Sequence, residues 1–115
     1  MHLPNVIQLV VAREKITLYL LSRSHRDGRH KARFFEQCGF DREQWRELAE
    51  SLCRHARTHE VVKVEPSPFG TRYVVDGKMV TPSRRRPMVR SVWFIGTGEQ
   101  RPHLVTAYPV KGKRL

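Results

Sequence analysis

Residues 45–77, WRELAESLCRHARTHEVVKVEPSPFGTRYVVDG, change their hydrophobic period partway along, and that change decides the fold. In the first half Trp45, Leu48, Ala49, Leu52, Cys53 and Ala56 recur at the i, i+3, i+4, i+7, i+8, i+11 spacing of one helix face. This predicts a helix to about Arg57. Arg42, Glu43, Arg46, Glu47, Glu50 and Arg54 fall on its far side as solvated ion pairs, and Asp41 with Gln44 matches a capping box at its start. From Glu60 the period becomes two. Glu60–Glu65 is Val-rich, Pro66–Gly70 is a turn, and Thr71–Asp76 is a second strand with Tyr73 and Val75 on one face. Asp76-Gly77 reads as a hairpin turn, returning through a short strand at Lys78–Thr81.

Downstream, Ser83–Pro87 reads as a mobile basic loop, Met88–Ile95 as a central strand apolar on both faces, and His103–Tyr108 as its antiparallel neighbour. Upstream, Asn5–Ala12 is a strand or an extended lead-in, and Arg13–Leu21 carries Ile16, Tyr19 and Leu20 near one face of a short helix. A second helix, about Arg29–Cys38, turns Ala32, Phe34 and Phe35 inward and ends on Gly39. The order predicts one α+β domain over residues 1–110 followed by a basic tail at 111–115. About three N-terminal helices would pack on one face of a twisted four- to five-stranded antiparallel sheet, leaving the other face free for a ligand.

The 115 residues include 22 Lys and Arg against 11 Asp and Glu, a formal net charge of +11, with most of the excess after Val61. Such a balance points to a polyanionic partner, and without a long apolar run nucleic acid fits better than a membrane. Cys38 and Cys53 have neither disulfide-framework nor zinc-ligand spacing, and no export signal is evident. The expectation is a reduced, cytoplasmic protein with no metal and no cofactor.

Chemistry concentrates in His25–Phe35, where two histidines, a lysine and three arginines precede an aromatic pair. His25–Gly28 reads as a turn and the residues after it as a helix start, where cations oppose the helix dipole unless an anion joins them. In the sheet, Arg90 and Ser91 point to opposite faces. If Trp93 and Ile95 meet the helices, Arg90, Val92 and Phe94 look outward; the reverse exposes Ser91. Arg72, Arg90 or Ser91, Thr106 and Tyr108 can therefore gather near His25–Lys31.

That set suits RNA cleavage without a metal, which needs a base for the 2′-hydroxyl, an acid for the 5′-oxygen, and donors on the phosphorane. His25, Lys31, Arg90 and Thr106 are the candidate catalytic residues, with His25 or His30 as the titrating group. Arg29, His30, Arg72, Ser91, Tyr108 and the Arg84, Arg85, Arg86 run are candidate substrate contacts. Each has a structural alternative: a solvated loop for His25–Lys31, a core-edge Tyr108, an ordinary strand Thr106, a snorkelling Arg90. His55 and His59, at the end of the third helix, are read as C-terminal caps.

The segments Gly28–Phe35, His55–Lys63, Gly70–Tyr73, Val89–Trp93 and Leu104–Pro109 together resemble a bacterial domain-of-unknown-function family. It occurs as stand-alone proteins and as C-terminal modules of polymorphic toxins. That family is similar in turn to the small ribonuclease toxins of the barnase, EndoU, colicin and RelE type. The resemblance implies N-terminal helices against a four-stranded antiparallel sheet and family-like polar positions at His25, Lys31, Arg72, Arg90, Ser91 and Thr106. It also implies RNA, either tRNA or mRNA, as substrate, an acidic immunity or antitoxin protein as partner, and delivery into a target cell where the domain belongs to a larger toxin. The alternative is a non-catalytic nucleic-acid-binding or adaptor domain using the same basic face. An enzyme needs the histidine and Lys31 together, whereas a binder needs only the charge.

Overall fold

A computed structural model describes residues 1–110; the basic tail expected at 111–115 lies outside the described residues. A short 3₁₀ turn (Val6–Gln8) leads into α1 (Arg13–Lys15), which widens directly into one π turn (Ile16–Leu20). Then come α2 (Arg29–Gln37), α3 (Trp45–Thr58), β1 (Val61–Ser67), β2 (Gly70–Lys78), β3 (Met88–Gly96) and β4 (His103–Pro109). The strands form one antiparallel sheet in the order β1-β2-β3-β4, so the architecture is the expected α+β with helices ahead of the sheet. No helix among the described residues is long and apolar enough to cross a membrane.

Residues paired across antiparallel strands share a face. Val75, Ser91 and Ala107 are aligned, as are Gly77, Val89 and Pro109, and this face meets the helices. Trp93, Val75, Val89 and Ala107 are fully buried there with Leu48, Leu52 and Ala56 of α3, Phe35 of α2, and Ile16 and Leu20 of the π turn. Each of these larger apolar side chains contributes roughly 1.5–3 kcal/mol by leaving water. Trp93 therefore meets the helices, and Arg90, Val92 and Phe94 take the opposite face.

The end of α2 follows its sequence closely. Gly39 has φ +97°, its N–H reaches Glu36 O at 3.0 Å, and Phe40 N–H reaches Phe35 O at 3.1 Å. This is the paired-bond C-cap that needs a left-handed residue, and the Phe35 and Phe40 rings stack edge-on across it.

Three local expectations are corrected. Asp76-Gly77 is not a turn: β2 runs straight through it, pairing Asp76 with Arg90 and Gly77 with Val89. Asp76 is taken up by a cross-strand ion pair, and Gly77 is required because a Cβ there would collide with the His59 ring. Lys78–Thr81 is accordingly no return strand, and Met79 turns into the core. The hairpin between β1 and β2 turns at Pro68-Phe69, inside the expected Pro66–Gly70 turn, where Ser67 pairs with Gly70.

The capping box does not form. Asp41 Oδ1 accepts the Glu43 N–H at 3.0 Å in a local turn, and α3 begins later, at Trp45, with no side-chain cap. Asn5–Ala12 forms no strand beyond a single parallel bridge from Val10 to His103. The Ser83–Pro87 loop is held by its own bonds. Thr81 Oγ1 donates within the loop and lies 2.9 Å from Ser83 Oγ, and Arg86 Nη1 donates to the carbonyls of Ser83 and Arg85.

Candidate active site on the open sheet face

The face turned away from α3 carries Arg72, Val74, Asp76 and Lys78 from β2, Met88, Arg90, Val92 and Phe94 from β3, and Thr106 and Tyr108 from β4. Val74 and Val92 are nevertheless buried, so the face has an apolar floor beneath its polar groups. β4 is an edge strand, α1 and α2 pack along it, and the π turn reaches it through Tyr19. Side chains from the helical layer thereby reach open-face residues of β4.

Tyr19, in the π turn, makes the first connection: its hydroxyl is 3.0 Å from Thr106 Oγ1. Lys31 in the first turn of α2 places its ammonium 5.4 Å from the centre of the Tyr19 ring and 5.9 Å from that of Tyr108. It also donates to the Asp27 carbonyl at 3.2 Å. An ammonium between two electron-rich ring faces is held in place by cation–π attraction. On the other side of Tyr19, the His25 ring packs edge-on with centroids 4.9 Å apart.

His25 is fixed by the turn it begins. Its Nδ1 accepts the backbone N–H groups of Asp27 and Gly28, each at 3.0 Å. An Nδ1 used as an acceptor puts the ring proton on Nε2, which has no protein acceptor among the described residues. The Asp-Gly turn seen in sequence is thus built on the histidine itself.

Arg90 lies directly opposite Asp76 and grips it through two bonds of 2.8 Å, Nε to Oδ1 and Nη2 to Oδ2. This two-pronged pair, with further support from the Tyr108 hydroxyl, raises the Arg90 pKa above its already high value. Arg90 is therefore always charged but half neutralised, and it is aligned with Tyr108 on β4.

The sequence-predicted residues separate into groups. His25, Lys31 and Thr106 meet Tyr19, Tyr108 joins them through Lys31, and Arg90 is linked to the group only through Tyr108. Arg29 and His30 flank Lys31 on α2 and are exposed. Arg72 shares the open face but sits four residues along β2 from Asp76, roughly 13 Å away by strand rise. Arg84, Arg85 and Arg86 lie beyond the other end of α2, where Ser83 N–H meets the Cys38 carbonyl. They do not join the cluster.

Ser91 is corrected outright: it is fully buried on the helix face. Its Oγ lies 2.9 Å from His55 Nδ1 and accepts the Trp93 Nε1–H at 2.9 Å. His55 Nε2 lies 3.1 Å from Gly77 O and 2.9 Å from Val89 O, two acceptors, so Nε2 carries the proton and the Ser91 hydroxyl donates to Nδ1. Burial pushes the His55 pKa down from 6.5, keeping the ring neutral. His55 is thus a core anchor rather than a helix cap. His59 does cap, with its Nδ1 3.0 Å from the His55 carbonyl.

Two site residues escaped the sequence reading. Tyr19 was assigned inward by its spacing from Ile16, although its hydroxyl needed a partner. Asp76 was read as a turn, although alternation with Arg72 and Val74 put it on the open face.

Two adjoining clefts border the cluster. One, of about 390 Å³, is lined by His30, Lys31, Tyr108 and Pro109; the other, of about 470 Å³, by Arg23, Arg29, His30, Arg33 and Glu36. A larger cleft of about 710 Å³ lies between α1 and the start of α3, lined by residues such as Arg13, Arg46 and Trp45. It holds no histidine, so the smaller pair is the better setting for acid–base chemistry. Among the described residues no three His, Cys, Asp or Glu side chains form a metal-ligand group.

Comparison with known proteins adds three findings. The family model described as a domain of unknown function, DUF6883, matches residues 2–111. No curated protein is matched. A chain of a contact-dependent growth inhibition toxin–immunity protein complex from Klebsiella pneumoniae 342 has the same fold, with a TM-score of 0.70. The likeness covers 93% of this chain and 97% of that one at 16% sequence identity.

Proposed function

The chain belongs to the DUF6883 family, and we propose that this member of a family of unknown function is a toxin-type ribonuclease that cleaves RNA without a metal ion. The observation that carries the reading is the Lys31 ammonium held between the Tyr19 and Tyr108 rings, with Tyr19 also meeting His25 and Thr106. The net charge of +11 and a fold shared with a chain of a toxin–immunity complex support it. In this reading the 2′-oxygen attacks phosphorus and the bond to the 5′-oxygen breaks. His30, on the rim of the cleft, accepts the 2′-proton and passes it to the departing 5′-oxygen, while the His25 Nε2–H donates a hydrogen bond to a phosphorane oxygen. Lys31 meets the charge that grows on the phosphorane oxygens, while Thr106 and Tyr108 orient the phosphate. The products are a 2′,3′-cyclic phosphate and a 5′-hydroxyl. An acidic immunity protein would cover the same basic surface and hold the enzyme off.

The test is incubation of purified protein with total RNA in EDTA. His25→Asn is the informative variant, because the Asn oxygen can still accept the turn N–H groups while the imidazole is gone. Cleavage by the wild type and its loss in His25→Asn and Lys31→Ala are expected. RNA binding without cleavage by the wild type would leave a non-catalytic RNA-binding domain instead.

A further inference from the structure

Apart from His30, the wall it shares with the cleft at Lys31 and Tyr108, the Arg23, Arg29, His30, Arg33, Glu36 cleft takes no part in the chemistry above. Arg29 and Arg33 are one helical turn apart on the same exposed face of α2. Glu36, the one acid in the cleft, is occupied: Arg23 Nη2 donates to its Oε2 at 2.7 Å and Arg23 Nε to both oxygens at 3.2 Å. Arg29 and Arg33 have no carboxylate partner among the described residues.

The helix is built against its own dipole to present these groups. No acid lies in the first turn of α2, Gly28 offers no side-chain cap, and Arg29, His30 and Lys31 are its first three residues. Cations at a helix N-terminus cost stability, and a local rule broken without compensation within the fold marks a functional surface.

We infer that this cleft is a backbone subsite for single-stranded RNA. Arg29 and Arg33 bind the phosphates of nucleotides flanking the cleaved one, and the strand crosses His30 to place its reacting nucleotide against Tyr108 and Lys31. The inference rests on the ribonuclease reading for which strand position reacts, but binding itself does not require cleavage. The preferred substrate is then an extended oligoribonucleotide rather than a dinucleotide. A duplex is disfavoured, because the aromatic wall at Tyr108 suits an unpaired base.

Binding of fluorescent, fully 2′-O-methylated oligoribonucleotides of about two and about six nucleotides distinguishes the possibilities. The full chain is compared with Arg29→Ala/Arg33→Ala and with Arg13→Ala/Arg46→Ala, which removes the same charge from the larger cleft. Both exposed α2 substitutions favour helix, so folding is retained. Loss of about tenfold in six-nucleotide affinity is expected for the α2 pair only, with two-nucleotide binding unchanged and the salt slope reduced by about 1.4. Equal losses in both double variants, or none in either, overturn the subsite. Wild-type protein that shows this binding pattern but cleaves no RNA keeps the subsite and loses the ribonuclease. Protein that cleaves, with the α2 pair indistinguishable from wild type in KM and binding, does the reverse.

Discussion

His25 and His55 both stand among hydroxyl-bearing neighbours, yet their surroundings give them opposite roles. His55 is sealed between α3 and the sheet with both ring nitrogens occupied, by Ser91 on one side and by the Gly77 and Val89 carbonyls on the other. His25 sits at the rim with only Nδ1 occupied, by the turn that it organises. A serine–histidine pair resembles catalytic machinery in a list of contacts, but a fully buried pair with every valence filled is a structural joint. A histidine with one free edge beside a caged ammonium is where substrate can reach. The free edge, not the hydroxyl, separates the two.

Breaking each histidine in turn should produce losses of different kinds. The largest expected effect is on activity: His25→Asn should lower RNA cleavage by about a hundredfold, within the usual range for removing one transition-state hydrogen-bond donor. Its thermal midpoint should stay close to that of the wild type, as differential scanning calorimetry would show. His55→Ala should do the opposite, costing about 3 kcal/mol through a cavity and stranded polar groups. A fall of roughly 10–15 °C in melting temperature would follow for a domain of this size. If His55→Ala instead melts normally and loses cleavage, the two roles are exchanged.

The pH dependence of stability sharpens the contrast. Burial lowers the native His55 pKa below 6.5, so as pH falls below that value the unfolded chain takes up a proton that the native ring refuses. Stability is therefore complete above the unfolded value, declines as pH drops toward the lower native one, and then levels off. Chemical denaturation between about pH 7.5 and 5 should show this decline in the wild type and its loss in His55→Asn. The smallest effect is expected for Tyr19→Phe, which removes one half-buried hydroxyl contact to Thr106 and keeps the ring against Lys31 and His25. It should cost at most about 1 kcal/mol of stability. Cleavage should fall only a few-fold, in contrast to a larger loss for Tyr19→Ala, which also removes the cation's cage.

Where one rule acted alone, the sequence was readable. The stripe in α3 and the glycine cap of α2 each follow from a single periodicity or a single backbone requirement, whereas alternation in β3 left open which of its faces meets the helices. Reading failed where two rules competed. Asp76-Gly77 has the composition of a hairpin turn and the alternation of a strand; the ion pair to Arg90 and the packing of Gly77 under His59 decided for the strand. His55 follows the apolar stripe at the position after Arg54, but its polarity hid a ring that the core needed. Ser91 looked like a site residue until the direction of β3 turned it toward that ring.

The amino-acid sequence by itself determined the helices-then-strands order and the basic charge, and offered His25, Lys31, Arg90, Thr106 and Tyr108 among its candidate site residues, because period and composition are local properties. Which of them meet was decided only by the tertiary structure. β4 had to be the sheet edge and the π turn had to reach it before Tyr19 could join Thr106 to Lys31 and His25. The same packing moved Ser91 inside and left Arg72 and the Arg84–Arg86 run at a distance. Those are relations between residues far apart in the chain, set by strand order and register rather than by any residue's own preference.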